Sequence, residues 1–387
     1  MKGREIVLDI REGRSCAALL VDGVLQDILF DGPGPDQGAV FWAKVDRLVP
    51  GIGGAFVNLT SEHQGFLREA KGLKAGQGLL VQVTGFAEPE KATPVTRRVL
   101  YKGRRLIHTP DAPGVNVSRQ IRDPEERARL AQALEKWAPD PGPTTPPRAE
   151  DLISLHQSGG VIVRTAAKGA LAEDLRREYS SLLAQRSERE ALLRSYEPGQ
   201  GSASSTAIDY ALREWTAIPP HRITIGPSAE QWVYDPLRLA LFSSTEIASS
   251  LRISDSDDPF EDLGILEQIP SLRTPLPSGG SMLIEATQAL VAVDVNTQGN
   301  FSKGAAMTAN IEACRELPRQ LRLRGLGGQI VVDFAPLKKA HRKQVEESLR
   351  AAFRSCAVET SLAGWTPLGN FELQRKRERR PFSDHAL

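Results

Sequence analysis

"ALVAVDVNTQGN" (289–300) places an aspartate, Asp294, at the end of an almost wholly apolar run, and the pattern returns in "GGQIVVDFAP" (327–336), where Asp333 follows Ile330, Val331 and Val332. Both runs read as strands. An ionised carboxylate beside apolar strands is unfavourable unless it is paired or binds a cation. Neighbouring parallel strands lie about 5 Å apart, so equivalent exits set two like charges side by side. A hard divalent cation relieves that repulsion. Magnesium suits the pair: it takes oxygen ligands, usually one or two carboxylates, and keeps waters and substrate phosphates. Asn296 lies two residues beyond Asp294, on the same face if the strand continues, where it can orient the carboxylate or a water. Spacing alone leaves a second reading open, in which each aspartate caps a turn or a helix at a strand end.

Around this pair, residues 280–356 alternate strand and helix: "SMLIEAT", "ALVAVDV", the helix "AAMTANIEACRELPRQLRLRG", "GQIVVDF" and the helix "KKAHRKQVEESLRAAF". The alternation predicts an α/β layer with a largely buried sheet. Towards the N-terminus, "EIVLDIR", "SCAALLVDG" and "VLQDILFDG" alternate in the manner of hairpin strands. Four short β-type runs in 39–86, separated by Gly, Pro and polar turns, predict a small closed barrel of the OB type. Phe56 and Phe66 within it are candidates for stacking bases, and equally for the barrel core. Further on, "DPEERARLAQALEKW" (123–137) reads as a capped helix and "PDPGPTTPP" (139–147) as a stiff connector. "GGVIVRTAAKG" (159–169) reads as a strand leaving through a basic loop, and an amphipathic helix follows over about 170–195. "EPGQGSASS" (197–205) reads as a flexible linker.

A chain of 387 residues, 40% hydrophobic and 25% charged, predicts a soluble globular protein of two or three domains. Forty-nine basic against 48 acidic residues leave a net charge of +1, so a polyanion surface must come from local clusters. Four stand out: "RRVLYKGRRL" (97–106), "RQLRLRG" (319–325), "KKAHRK" (338–343) and "QRKRERR" (374–380). Each alone reads equally well as a solvated helix face; together they favour a polyanion. Cys16, Cys314 and Cys356 form no CxxC, and the histidines form no HExxH. These spacings predict no disulfide framework and no structural zinc, in a reducing cytoplasm. No signal peptide and no apolar run of membrane-spanning length is expected.

Taken in order, these segments resemble the catalytic half of the ribonuclease E/G family. "LPSGGSMLIEATQALVAVDVNT" (276–297) followed by "RQLRLRGLGGQIVVDF" (319–334) looks like its nuclease signature. "GGAFVNLTSEHQGFL" (53–67) is similar to its S1 barrel, "GVNVSRQI" (114–121) to the segment beyond the barrel, and "GVIVRTA" (160–166) to its 5′-end sensor. The resemblance implies a multidomain α/β fold, with an RNase H-like and DNase I-like nuclease core, an inserted S1 (OB-type) barrel and a 5′-sensor region. The implied boundaries are 1–35 for the first RNase H-like strands, 36–97 for the barrel and 98–198 for the sensor region. The remainder of the RNase H-like part takes 199–272, and the DNase I-like catalytic domain 273–387.

The implied activity is magnesium-dependent internal cleavage of single-stranded RNA to 5′-phosphate and 3′-hydroxyl ends, in RNA processing and decay. By the same resemblance Asp294 and Asp333 are the metal ligands, and Asn296 positions the first. Arg164 and Thr165 match the pair holding a terminal monophosphate, with Gly103 and Ile107 in support. Phe56, Phe66 and Lys91 match RNA-contacting barrel positions, and Arg119 lies in a matching motif. Three departures stand out. No CPxC link follows Cys356, so a homo-oligomer would not be zinc-linked; the segment after Asp294 lacks an acidic stretch; and Gln288 stands where the family tends to have Glu. The last two leave open an RNA-binding protein with little or no catalysis. A phosphoesterase acting on small molecules is a third reading, which would leave the barrel and basic clusters idle.

Overall fold

The computed structural model describes residues 3–32, 34–86, 91–135, 159–203, 206–234, 245–269, 271–300, 302–354 and 356–382. The chain divides into two compact units, one of Met1–Gly23 with Leu29–Leu263, the other of Val24–Ile28 with Gly264–Leu387. The expected connector at 139–147 lies outside the described residues.

In the first unit, strand Arg4–Arg11 pairs antiparallel with Arg14–Val21 and parallel with Arg222–Ile225, which pairs in parallel with Leu251–Ile253. The hairpin closes through Glu12 and Gly13, both at positive φ (50° and 76°), the backbone a two-residue turn between right-twisted strands requires. Strands Val40–Val49, Gly54–Asn58, Gln64–Leu67, Thr93–Thr96 and Gly78–Val83 neighbour one another in that order. Gly78–Val83 returns to Val40–Val49 and closes a five-stranded barrel. Alternate residues, among them Ala43, Val45, Val57, Leu67, Val81 and Val95, fill it.

Within the expected linker 197–205, the described residues 197–203 are not a linker. Gly201–Ala203 adds a strand antiparallel to Val40–Val49, and the Gly199 N–H donates to the Trp42 carbonyl at 2.6 Å. Glycine and serine made the segment look loose, yet the barrel strand beside it has backbone groups that must be bonded. A four-stranded sheet (Gly114–Val117, Gly160–Val163, Leu106–Thr109, Tyr101–Lys102) completes the unit with helices Pro124–Glu135 and Ala172–Arg194. The long helix is less simply amphipathic than expected: Glu178, Arg186 and Glu190 are buried with Leu175, Tyr179, Leu182 and Leu193.

The second unit holds a six-stranded sheet in the order Arg273–Pro275, Ser281–Ala286, Val291–Asn296, Gly328–Asp333, Phe371–Arg375, Thr360–Trp365. Val291–Asn296 and Gly328–Asp333 run parallel, joined by helix Ala305–Leu323; the other pairings are antiparallel. This sheet is not largely buried. Val291, Val293, Val295, Ile330 and Val332 pack with that helix and with Arg342–Phe353, while Asp294, Asn296, Gln329 and Asp333 face solvent. A single crossover helix covers one face only, and antiparallel neighbours tolerate an open second face. Apolar residues at outward positions, Ala292 and Val331, concealed the alternation in the sequence.

Two of the basic clusters are largely structural, which corrects their reading as a polyanion footprint. Arg319 Nε donates to the Leu25 carbonyl (2.7 Å) and Arg322 Nε to that of Gln26 (3.1 Å), tying Val24–Ile28 into the second unit. Arg379 pairs with the buried Asp27, and Arg375, 2% exposed, donates to Cys356 Sγ at 3.2 Å and Thr360 Oγ1 at 3.1 Å. Arg324 is buried with bonds to Gln320, Ser271 and Thr274. In the first unit Arg104 and Arg105 are likewise buried, Arg104 Nε donating to the Thr216 carbonyl. Arginine stems bury readily while their fork serves backbone oxygens, so a run of them is ambiguous in sequence.

Candidate functional site

Asp294 and Asp333 are direct register partners on the two parallel strands, and both are exposed on the open sheet face. The amide of Asn296 donates to Asp294 Oδ2. The Asp333 side chain has no hydrogen-bond or ion-pair partner among the described residues. Two adjacent carboxylates with no protein cation between them form a donor set that fits a hard divalent ion held mainly by water and substrate oxygens. No group of three or more His, Cys, Asp or Glu side chains with metal-holding geometry occurs among the described residues, so such an ion would rest on this pair.

Two features that position the pair were not singled out from sequence. Asn310, fully buried on helix Ala305–Leu323, donates through Nδ2 to the Ala335 carbonyl (2.8 Å) and accepts at Oδ1 from the Ala335 N–H (2.9 Å). It thereby clamps the backbone two residues past Asp333. The signal available was a polar residue at a core position of the helix (Ala309, Asn310, Ala313, Cys314, Leu317). Gly280 is the second: a Cβ there would stand 2.7 Å from the Asn296 carbonyl oxygen, which accounts for a glycine ahead of Ser281–Ala286.

In the first unit, Arg164 and Gly103 meet directly. Arg164 NH1 donates to the Gly103 carbonyl (2.9 Å), and the Arg164 N–H donates to the Arg105 carbonyl (2.7 Å). Ile107 is half-buried on the neighbouring strand, paired with Ile162 and Lys102. The tight loop 103–106 is held from below by Glu178, whose Oε1 accepts from the N–H groups of Arg105 (2.7 Å) and Leu106 (3.0 Å). A Cβ on Gly103 would sit 2.3 Å from that oxygen, so a glycine is needed there. Burial pushes the Glu178 carboxyl up to about 7, against the two backbone N–H groups that favour its charge. Thr165 opens a short 3₁₀ turn, and its hydroxyl is bonded to Gln120 Oε1 and Ser118 Oγ, both at 3.1 Å. Arg119, between them, is exposed.

The Arg164 fork has a partner that sequence reasoning missed, for it lies fifty residues away and carries no local signal: NH2 is paired with Glu214 Oε2. The other Glu214 oxygen accepts from Arg213 Nε at 2.8 Å. Burial works against the charge on Glu214, yet Arg164 and Arg213 together hold its carboxyl below the ordinary range.

On the barrel, Phe56 and Phe66 are cross-strand partners, half-buried, with ring centroids 5.2 Å apart in an edge-to-face arrangement. Arg47, register partner of Phe56 beyond a bulge in Val40–Val49, lays its guanidinium over that ring at 4.5 Å. The pair therefore lies on the barrel's outer side, not in its core. Lys91 is exposed three residues before Pro94, which pairs with Phe66.

The Ribonuclease E/G family model matches residues 101–378, from strand Tyr101–Lys102 through the carboxylate pair to the last strand. The chain belongs to the ribonuclease E/G family. Among its relatives, Ribonuclease G of Salmonella typhimurium is 27% identical over 422 aligned positions, covering 99% of this chain and 81% of the relative. Ribonuclease G of Haemophilus influenzae is 27% identical, covering 100% and 82%. Ribonuclease E of Escherichia coli is 28% identical over 97% of this chain, which spans 37% of that longer protein. No helix among the described residues of this family member is long and apolar enough to cross a membrane.

Proposed function

We propose that this protein is a magnesium-dependent endoribonuclease that cuts single-stranded RNA internally, leaves 5′-phosphate and 3′-hydroxyl ends, and favours RNA carrying a 5′-monophosphate. Membership of a ribonuclease family supports the reaction class. The observation that carries the mechanism is the pairing of Asp294 with Asp333 on an open sheet face, with Asn296 fixing one Asp294 oxygen. Magnesium, when bound, would supply Lewis acidity towards the non-bridging phosphate oxygens and lower the pKa of water. Asp294 and Asp333 would hold the ion, and Asn296 keeps the first carboxylate from rotating away. An open face admits an extended strand from either side, as internal cutting requires. Phe56 and Phe66 give bases a stacking edge. Arg164 and Thr165 offer a fork and a hydroxyl to terminal phosphate oxygens.

The same reading takes the sheet that joins Arg4–Arg11 and Arg14–Val21 to Arg222–Ile225 and Leu251–Ile253 as RNase H-like, the barrel as an S1 barrel of the OB type, and the carboxylate-bearing layer as DNase I-like. It keeps the boundaries 1–35, 36–97, 98–198, 199–272 and 273–387, and a cytoplasmic role in RNA processing and decay.

A short single-stranded RNA, 5′-monophosphorylated or 5′-hydroxyl, is incubated with the protein in magnesium or in EDTA, beside Asp294→Asn. Internal cuts that need the metal and vanish in the variant are expected, faster on the monophosphate. Binding without cutting in magnesium would refute the nuclease and favour an RNA-binding role.

A further inference from the structure

The Arg164 guanidinium is not waiting for a ligand. It is already engaged by the Gly103 carbonyl and by Glu214, whose carboxylate is shared with Arg213. The Arg213 fork also lies over the Tyr210 ring at 5.5 Å, so it is held in place independently of Arg164. Side-chain exposures of 23% for Arg164 and 26% for Glu214 leave the pair open to solvent on one side, while Arg213 is 13% exposed. An anion reaching Arg164 must therefore compete with a carboxylate, and that carboxylate has a second arginine to fall back on.

We propose that Glu214 is a specificity-determining residue of the phosphate site: it sets a charge threshold that a terminal phosphomonoester passes and a phosphodiester does not. This rests on reading Arg164 and Thr165 as a 5′-phosphate site. A phosphodiester carries one negative charge, as Glu214 does, so exchanging one for the other on Arg164 gains little. A terminal monophosphate carries about −1.5 to −2 at neutral pH with three acceptor oxygens, and so wins the exchange. Glu214 is not left as an unpaired buried charge afterwards, because Arg213 keeps its hold. Discrimination thus comes from an element acting against the wrong ligand as well as from contacts to the right one. Internal phosphates of a passing strand, which vastly outnumber ends, are kept off the fork.

The test uses the full chain in EDTA, which prevents cutting, and three versions of one short single-stranded RNA: 5′-monophosphate, 5′-methyl phosphate and 5′-hydroxyl. The methyl ester keeps the terminal phosphorus but carries a single charge. The native protein is expected to prefer the monophosphate over the methyl ester by about tenfold, the size of one strong charge-assisted contact. Glu214→Gln is expected to bind the methyl-ester RNA about tenfold more tightly and to lose most of that preference. Glu214→Asp should retain it. A gain of binding cannot arise from misfolding. If the native protein separates monophosphate from hydroxyl but Glu214→Gln keeps its preference for the monophosphate over the methyl ester, Glu214 does not set the threshold and the phosphate site still stands. If the native protein does not separate monophosphate from hydroxyl, the phosphate site itself falls, and the proposal with it.

Discussion

The open sheet face of the second unit and the surroundings of Arg164 in the first handle charge in opposite ways. Asp294 and Asp333 stand exposed side by side, one steadied by an asparagine amide and the other without a partner among the described residues. Around Arg164, by contrast, charged groups are matched by the protein: Glu178 buried under loop 103–106, Glu214 partly exposed between two arginines, and the buried Arg186 bonded to Glu190 and His108. His108 is held neutral, its pKa lowered to about 4 by burial and by Arg186, with Nδ1 against the Gly160 carbonyl and Nε2 against Arg186. A pair of like charges left without a counter-ion is a place for an ion to come. A charge network completed by the protein is a scaffold whose members must be exchanged, not merely filled.

The sharpest way to break this comparison is Asp333→Asn. Removing one of the two carboxylates proposed to hold the metal is expected to slow cleavage on the order of a thousandfold. Because the change also relieves like-charge repulsion, thermal stability should stay level or rise. A clear drop in melting temperature would mean the carboxylate is structural.

Next in size is Glu178→Gln. Its folded-state pKa is raised to about 7, so the folded protein holds this proton more firmly than the unfolded chain does. The stability this contributes is complete at acid pH and is lost as pH rises through about 7, roughly 2–3 kcal/mol between about pH 5 and pH 8. Urea melts across that range should show the decline in the native protein and a flatter profile in Glu178→Gln. An unchanged slope would show that the carboxyl titrates normally.

The smallest effect is expected from Asn310→Ala, which strands the Ala335 N–H and carbonyl in the core. A loss of about 1–3 kcal/mol in urea unfolding follows, with slower cleavage through the loosened loop after Asp333. A variant that lost stability but cut at the native rate would show that the clamp does not position the site.

Much of the carboxylate site was legible because its parts are local to two strands. Period-two alternation and the ends of apolar runs located Asp294, Asn296 and Asp333, and the parallel pairing followed from the helix between them. The sheet's open face was not legible, because Ala292 and Val331 are apolar where they face outwards. Arginine-rich runs misled in the opposite direction. Arg319, Arg322, Arg375 and Arg379 read as a surface footprint, yet they serve backbone carbonyls, Cys356 and Asp27. Residues 197–203 misled through composition, since glycine and serine suit an added edge strand as well as a linker.

What the sequence determined by itself was the kind of chemistry: two carboxylates at strand ends, a barrel, an Arg-Thr pair and the family they belong to. Tertiary structure alone decided which charges stay free. Whether Arg164 presents an open fork depends on Glu214, fifty residues away, and whether Gly103 can hold its loop depends on Glu178 beneath it. Side-chain type is local information, whereas the counter-charge that neutralises it comes from whichever segment the fold brings within a few ångströms.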